Sequence, residues 1–454
     1  MISNILFLLV AIAGIGLFIW QLRKIQRNIN LGRDKKIVGN TSERLNKLLL
    51  VAFGQQKMFK RPWPAVLHGV VYIGFLVINI EVLEILIDGI FGIHRALSFV
   101  GPVYSLLMAV NEILAFLVII ACVIFLVRRT VTKVPRLTRG PEMRAWSKLD
   151  ANIILITEIV LMLALFAFNI ADLQISAQQG EELAGSFPIS GLFQNIFGND
   201  VATLSVIRSV GWWFHILGIL AFINYLPSSK HFHIIMAFPN VYYSRLEPKG
   251  QFTTNESITH EIKAMLDPSY QVPPLPENAE PQKFGAKDVE DLTWKQLMDA
   301  YTCTECGRCT DVCPANLTGK LLSPRKIIMD TRDRMEEKGE HPAIFRPNHY
   351  QEQGEERIKT TAENTLLRGY VTPEELWACT TCNACVEACP VNIDQLSSIM
   401  DMRRFLVLEE SAAPNALNAM FTNIENNGAP WAFSPSDRLN WADNLFVADK
   451  AVSG

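Results

Sequence analysis

Residues 303–314 read Cys303-Thr-Glu-Cys306-Gly-Arg-Cys309-Thr-Asp-Val-Cys313-Pro314, and residues 379–390 read Cys379-Thr-Thr-Cys382-Asn-Ala-Cys385-Val-Glu-Ala-Cys389-Pro390. Eight of the nine cysteines fall into these two copies of one spacing, C-x2-C-x2-C-x3-C-P. That run holds [4Fe–4S] clusters. Three thiolates in a tight turn cap one face of a cube. The fourth cysteine, followed by a proline that breaks the local helix, is directed to the other cube. One cluster is therefore expected to take Cys303, Cys306, Cys309 and Cys389, and the other Cys379, Cys382, Cys385 and Cys313. Zinc would need four-ligand sets such as two paired C-x2-C units, leaving the third and fourth cysteines and the repeated proline unexplained. The ninth cysteine, Cys122, is expected to be an inert buried thiol.

Between the motifs lie the 65 residues 314–378, and helical signals fill part of them. Ser323-Pro324-Arg325 is an N-cap and first turn leading through Met329 and Met335. Thr372-Pro373-Glu374-Glu375 is another, leading into Leu376, Trp377 and the second motif. Few alternating β-branched runs are visible, so residues 291–410 are expected to form an α-helical double-cluster domain. Upstream, 241–290 is a linker, since 251–292 is rich in proline and polar residues. Downstream, 411–454, with Trp431, Phe433, Trp441 and Phe446, is an ordered arm or a docking strip.

The other half of the chain is addressed to a different solvent. Of 454 residues, 49% are hydrophobic and 19% charged, against about 25% charged in soluble domains, which argues against a wholly soluble enzyme. Five apolar runs, near 2–22, 64–88, 102–127, 149–172 and 205–227, are long enough to cross about 30 Å of hydrocarbon. The net charge of −3 conceals a split: residues 1–240 hold 21 Lys+Arg against 13 Asp+Glu (+8), and residues 241–454 hold 21 against 32 (−11). No cation precedes the first run, and Arg23, Lys24 and Arg27 follow it, as in an uncleaved anchor with its N-terminus outside. Segment 23–61 carries 11 Lys/Arg and 128–148 carries seven, whereas 173–204 carries none. Cytoplasmic loops are the basic ones. The expected topology is N-out, five spans and C-in, in a bacterial cytoplasmic (inner) membrane with the iron–sulfur domain in the cytoplasm. Within 23–61, Leu45, Leu48, Leu49 and Phe53 recur at helical spacing beside Arg44 and Lys47. They form an amphipathic helix that lies on membrane lipid or packs on the soluble domain.

Histidines at membrane depth are rare enough to suggest function. His68 sits near the cytoplasmic start of the second run, His215 midway along the fifth, and His231 and His233 just past its end. From His215 to His233 is 18 residues, five helical turns and about 27 Å of rise, which sets both on one face unless Pro227 kinks the helix. Facing histidines on neighbouring helices are what a b-type haem requires, and His68 with His233 or His231 is the candidate pair; interfacial histidines are the alternative. A second haem at His215 lacks a partner, because the corresponding positions are Ile78 and Asn79 and His94 is in a loop. Glu112, Glu158, Asn111 and Asn169 suit a proton path, a quinone site or helix-to-helix hydrogen bonding. Trp212 and Trp213 suit internal packing.

Together these features resemble a fusion of two known parts. Residues 1–240, with five spans and the His215-x17-His233 spacing, resemble the dihaem cytochrome b gamma subunit of respiratory nitrate reductase. Residues 290–410 resemble the two-cluster iron–sulfur subunit of heterodisulfide reductase, which has the α-helical ferredoxin fold. The pair resembles bacterial membrane iron–sulfur oxidoreductases of the ETF:menaquinone oxidoreductase kind. The resemblance implies haem b and menaquinone as redox partners of the clusters. Two departures stand out: the second histidine of span two is missing, which leaves one haem expected and a second, at His215, open, and there is no cysteine-rich CCG domain. Substrate chemistry is then expected on another polypeptide, a CCG-type heterodisulfide-reductase-like protein or an electron-transferring flavoprotein. No dinucleotide fingerprint, Walker A motif or nucleophile elbow is present, and the acidic half excludes nucleic acid as a partner. The expected function is membrane-bound electron transfer between a soluble partner, two clusters, haem b and quinone. The alternative is an iron–sulfur anchor of a larger respiratory complex with no quinone site of its own.

Overall fold

The structure, a computed structural model, describes residues 2–181, 183–248, 250–274, 283–339, 364–442 and 445. Helices account for its regular elements, and among the described residues the only β pairings are the isolated bridges Arg33–Thr293 and Leu367–Val371. Five long helices, Ile2–Ile29, Pro62–Phe91, Pro102–Thr130, Ala145–Gln179 and Val201–Tyr225, coincide with the five apolar runs and extend several of them at one or both ends. The shortest has 25 residues, about 37 Å at 1.5 Å per residue, which exceeds the hydrocarbon thickness. Proline at the first helical position starts the second and third, where a missing N–H costs nothing. Left-handed Gly92 and Gly180 end the second and fourth.

The spans turn apolar side chains outward, Leu9, Ile12, Leu83 and Leu163 among them, and bury polar ones such as Gln21, Glu81, Asn111 and Asp172. This inversion suits a bundle in lipid, where polar groups must find partners inside the protein. The fourth and fifth spans make the most extensive contact. Gly211 permits it: a Cβ there would lie 3.1 Å from the Phe168 backbone nitrogen and 3.2 Å from the Ala164 oxygen. Trp212 and Trp213 pack edge to face with each other and against Phe7, as internal packing residues would.

The expectation of one helix through His215 and His233 fails at Pro227. The fifth helix stops at Tyr225, turns of 3-10 helix follow at Leu226–Ser228 and Lys230–Phe232, and a new helix runs His233–Tyr242. Proline has no N–H to continue the ladder, and Asp150 stabilises the break by accepting from the Tyr225 hydroxyl (2.6 Å) and the Lys230 backbone nitrogen (3.0 Å).

The amphipathic segment packs on the helix that follows the fifth span and not on the cysteine-bearing domain. Asn40 caps the helix Thr41–Lys47, which continues as a wider turn through Phe53. Leu45, Leu49, Leu50 and Phe53 are exposed on one side, while Val51 and Ala52 pack on Val241 and Phe238. Ser323 and Thr372 cap their helices, Pro324–Lys338 and Pro373–Trp377, as expected. Within the stretch expected to be a linker, the described residues include the helix Glu256–Leu266. In the C-terminal arm, a helix Asn415–Asn427 and a 3-10 segment Pro435–Ala442 leave Trp431, Phe433 and Trp441 exposed; Phe446 lies outside the described residues.

One apolar core crosses the junction between the spans and the cysteine-bearing part. Ile25, Leu226, Phe232 and Met236 from the membrane half pack with Leu297, Ile327, Met335, Leu376 and Met402. Buried ion pairs reinforce it. Glu142, between the third and fourth spans, meets Arg325 at 2.7 Å, each side chain 1% exposed. Ser323 donates to the same carboxylate at 2.6 Å, and Arg325 donates to the backbone oxygens of Arg136 (2.6 Å) and Arg139 (3.0 Å). Removing one partner strands the other charge, at a cost of about 3–5 kcal/mol. Glu142→Gln is therefore expected to lower the thermal midpoint of the detergent-solubilised protein by several degrees. The double variant Glu142→Gln, Arg325→Met is expected to recover most of the loss.

Candidate functional site: crossed cysteine loops and a histidine pair

The two cysteine motifs fold alike because the same positions take the same backbone. Glu305 and Thr381, the residues before the second cysteine of each copy, have φ of +52° and +56°, and Gly307 and Asn383, the residues after it, have +71° and +59°. These left-handed residues wrap the chain so that successive thiols point inward. Short helices Arg308–Asp311 and Ala384–Ala388 follow, and Cys313 then precedes the Pro314 that opens the next helix. Backbone N–H groups point at sulfur: Glu305 to Cys303 (3.4 Å), Thr381 to Cys379 (3.4 Å) and Ile393 to Cys389 (3.3 Å). Such donors raise cluster potentials. Gly307 is also required by its neighbours, since a Cβ there would lie 2.6 Å from the Arg136 oxygen and 2.7 Å from Arg325 Nη1.

Thiols of the two motifs lie within electrostatic reach of one another, Cys309 with both Cys389 and Cys385 of the second motif. Burial pushes Cys389 up to about 11, and the thiol charge that next opposes its ionisation is Cys306, from the other motif. Cys309, raised by burial, is opposed by Cys306, Cys303 and Cys389. Cys379 and Cys385, also raised by burial, are both opposed by Cys313 and Cys382. Buried thiols of this kind become thiolates only against the positive charge of a metal. Among the described residues no three His, Cys, Asp or Glu side chains gather tightly enough for a single metal ion, in keeping with ligands spread over a four-iron cube. Cys382 is exposed and Cys379 and Cys306 are partly so, while the other five are buried. Cys382 of the second loop is therefore the cysteine that reaches the surface, and the first loop lies against the membrane half.

The membrane half grips that inward loop. Arg136 donates to the Cys306 oxygen (2.5 Å), Arg308 donates to the Lys57 oxygen (3.1 Å), and Glu305 pairs with Lys230 (2.7 Å) and Arg332 (2.8 Å). Despite its burial, Glu305 is held well below the usual carboxylate range by those two cations. Arg308, next to Cys309 in sequence, stands within electrostatic reach of His68. The His68 and His233 rings lie 6.4 Å apart between centroids, tilted by 40°. His233 donates through Nδ1 to the Lys230 oxygen (3.0 Å), which leaves Nε2 for a ligand, and the buried His68 Nδ1 has no partner among the described residues. Burial lowers both His231, to about 3, and His233, so both imidazoles are neutral. His231 turns its Nε2 toward Glu158, 3.9 Å away.

His215 stands apart from this pair. It donates from Nδ1 to the Leu161 oxygen (2.8 Å), and its buried Nε2 has no partner among the described residues. The weak substitutes named from sequence are engaged elsewhere. Ile78 packs with Val118, Cys122 and Leu161, Asn79 bonds the Phe75 oxygen, and His94 pairs with Asp172. Cys122 is buried in that packing, as expected. Motif and spacing did not single out Lys230, Glu305 or a buried polar network of Glu81, Glu84, Arg95 and Asp172; the signal available was a charged residue inside an apolar run.

Residues 302–393 match the family described as the 4Fe-4S dicluster domain. The chain carries iron–sulfur ligation. Over 98% of its length it is 32% identical to the probable iron-sulfur-binding oxidoreductase FadF of Bacillus subtilis, covering 61% of that protein. Over 95% it is 28% identical to the EtfAB:quinone oxidoreductase of Syntrophomonas wolfei, covering 57% of it. A shorter stretch, 36% of the chain, is 39% identical to a probable membrane-anchored ferredoxin of Chromohalobacter salexigens. The chain thus spans about 60% of the length of the two relatives it matches throughout. No solved structure matches it.

Crossed ligation makes a distinctive demand on variants. Cys389→Ser, although in the second motif, is expected to abolish the electron paramagnetic resonance signal of the cluster held by Cys303, Cys306 and Cys309. Cys313→Ser is expected to abolish the other. Each purified variant is expected to lose roughly half the bound iron.

Proposed function

We propose that the chain is the membrane electron-transfer part of a quinone-linked iron–sulfur oxidoreductase in the bacterial cytoplasmic membrane. Its ligands are Cys303, Cys306, Cys309 and Cys389 for one [4Fe–4S] cluster, and Cys379, Cys382, Cys385 and Cys313 for the other. His68 and His233 hold one haem b. When bound, these groups relay single electrons between a soluble donor or acceptor and menaquinone.

The observation that carries this proposal is the His68–His233 pair beside the inward cysteine loop. The rings stand 6.4 Å apart, and His68 and His233 would hold the haem, which would supply one-electron chemistry there. His233 is anchored through Nδ1 to a carbonyl with Nε2 left for a ligand, and the buried His68 Nδ1 has no partner among the described residues; both support the pairing. His231 is the less suitable partner, since its Nε2 is directed at Glu158. Among the described residues His215 stands beside no second histidine ring, so the pair proposed for the haem is His68 with His233. The exposed Cys382 marks the face where a soluble partner approaches. That partner is an electron-transferring flavoprotein or a heterodisulfide-reductase-like protein, in line with what the Syntrophomonas relative's name says of that protein. The basic loops 23–61 and 128–148, which contact the first cysteine loop, support a cytoplasmic side for it.

Haem and iron analysis of the purified chain tests this. His68→Ala and His233→Ala are each expected to remove the reduced-minus-oxidised haem band while leaving the cluster signals unchanged, and His215→Ala is expected to retain it. Clusters without any haem in the unaltered protein would favour the anchor function, as in the relative named a membrane-anchored ferredoxin.

A further inference from the structure

The two cysteine motifs are copies of one spacing, so each residue of one has a counterpart in the other, and between the cysteines the copies differ in charge at two positions. Glu305 of the first stands where the second has Thr381, and Arg308 stands where the second has Ala384. At the charged position they share, Asp311 of the first is met by Arg61 (2.5 Å), and Glu387 of the second by Lys60. The segment leading into the second span therefore balances that position alike in both loops. Glu305 is neutralised inside the fold by Lys230 (2.7 Å) and Arg332 (2.8 Å). Arg308 is the difference that remains.

The Arg308 side chain lies inside the junction, 5% exposed. It donates to the Lys57 backbone oxygen (3.1 Å), and no carboxylate among the described residues pairs with it. Burial works against its charge, and the groups that favour the charged form are the sulfurs of Cys306 and Cys389, one from each motif. A guanidinium taken out of water is costly unless an anion stands beside it. Four thiolates around a [4Fe–4S] core make a net anion, and reduction adds one electron more. That group is the counter-charge which the protein alone does not give Arg308. Other cations adjoin the loops: Arg136 on the Cys306 oxygen (2.5 Å), Lys57 on the Val386 oxygen (3.4 Å) and Arg403 on the Cys379 oxygen (2.5 Å). Each of these three is partly exposed, so water screens it more than it screens Arg308.

We propose that Arg308 is the counter-cation of the cluster held by Cys303, Cys306, Cys309 and Cys389 and raises its reduction potential, an influence that the second cluster, with Ala384 in the matching place, lacks. This rests on the crossed ligation and the electron-transfer function above. A fixed positive charge attracts the cluster more strongly with the extra electron than without it, so it favours reduction. The copies thus share a fold and a ligand set but not an electrostatic environment. The cluster so favoured is the one whose loop lies against the membrane half, where Arg308 also stands within electrostatic reach of His68.

The test is a redox titration of the purified full chain, followed by the electron paramagnetic resonance of each cluster, the inward one identified as the signal lost in Cys389→Ser. Arg308→Gln removes the charge and keeps a donor for the Lys57 oxygen. It is expected to make reduction of the inward cluster about tenfold less favourable, a fall of about 59 mV in a one-electron midpoint, and to leave the other midpoint in place. Arg308→Lys, which keeps the charge, is expected to restore most of the potential. An unchanged midpoint in Arg308→Gln, an equal shift of both clusters, or the same fall in Arg308→Lys would overturn the proposal. Loss of the inward cluster from both variants would overturn it too, since the side chain would then serve the loop's shape and not its charge; loss from Arg308→Gln alone would support it. The titration needs neither haem nor quinone, so a chain that binds neither sinks the quinone-linked function and leaves this result standing. Absence of clusters from the unaltered protein would overturn both.

Discussion

Arg325 is the residue on which the arrangement turns. Its guanidinium is buried and held by the Glu142 carboxylate and by two backbone oxygens of the loop between the third and fourth spans. A buried arginine that lost these partners would face a desolvation cost of several kcal/mol. The loop and the cysteine-bearing part are therefore locked in one relative position. Gly307 fits into the same contact with no room for a side chain. The first cysteine loop is consequently pressed against the membrane half, and Arg308 is brought to His68.

Electron transfer between bound centres needs them close and fixed, and the junction is built accordingly. The apolar core is continuous from Ile25 and Phe232 of the membrane half into Met335 and Met402. Lys230, between the end of the fifth span and His231, pairs with Glu305 inside the first motif. The break at Pro227 carries the chain sideways, so that Lys230 reaches Glu305 while His233 meets His68.

The far end of the bundle obeys the opposite rule. There several buried carboxyl groups surround one buried cation, Arg95, and Asp172 among them reaches the exposed His94 and Arg208. Charge is compensated at the cysteine end by designated pairs, whereas at the far end it is shared through a hydrogen-bonded chain.

What the sequence by itself determined follows from local rules. Cysteine spacing, hydrophobic length and N-cap residues each act within a few turns of chain, so the two motifs, the five spans and the helices capped by Ser323 and Thr372 were all legible. Helical periodicity misled at His215 and His233, because it assumes an unbroken helix and Pro227 breaks this one. The choice of His233 over His231 beside His68, the Glu142–Arg325 and Lys230–Glu305 pairs, and the Arg95 network were decided only by tertiary structure. The partners in Glu142–Arg325, Lys230–Glu305 and Arg95–Asp172 lie 183, 75 and 77 residues apart. Burial, which gives such pairs their strength, is a property of the packed bundle and not of any segment.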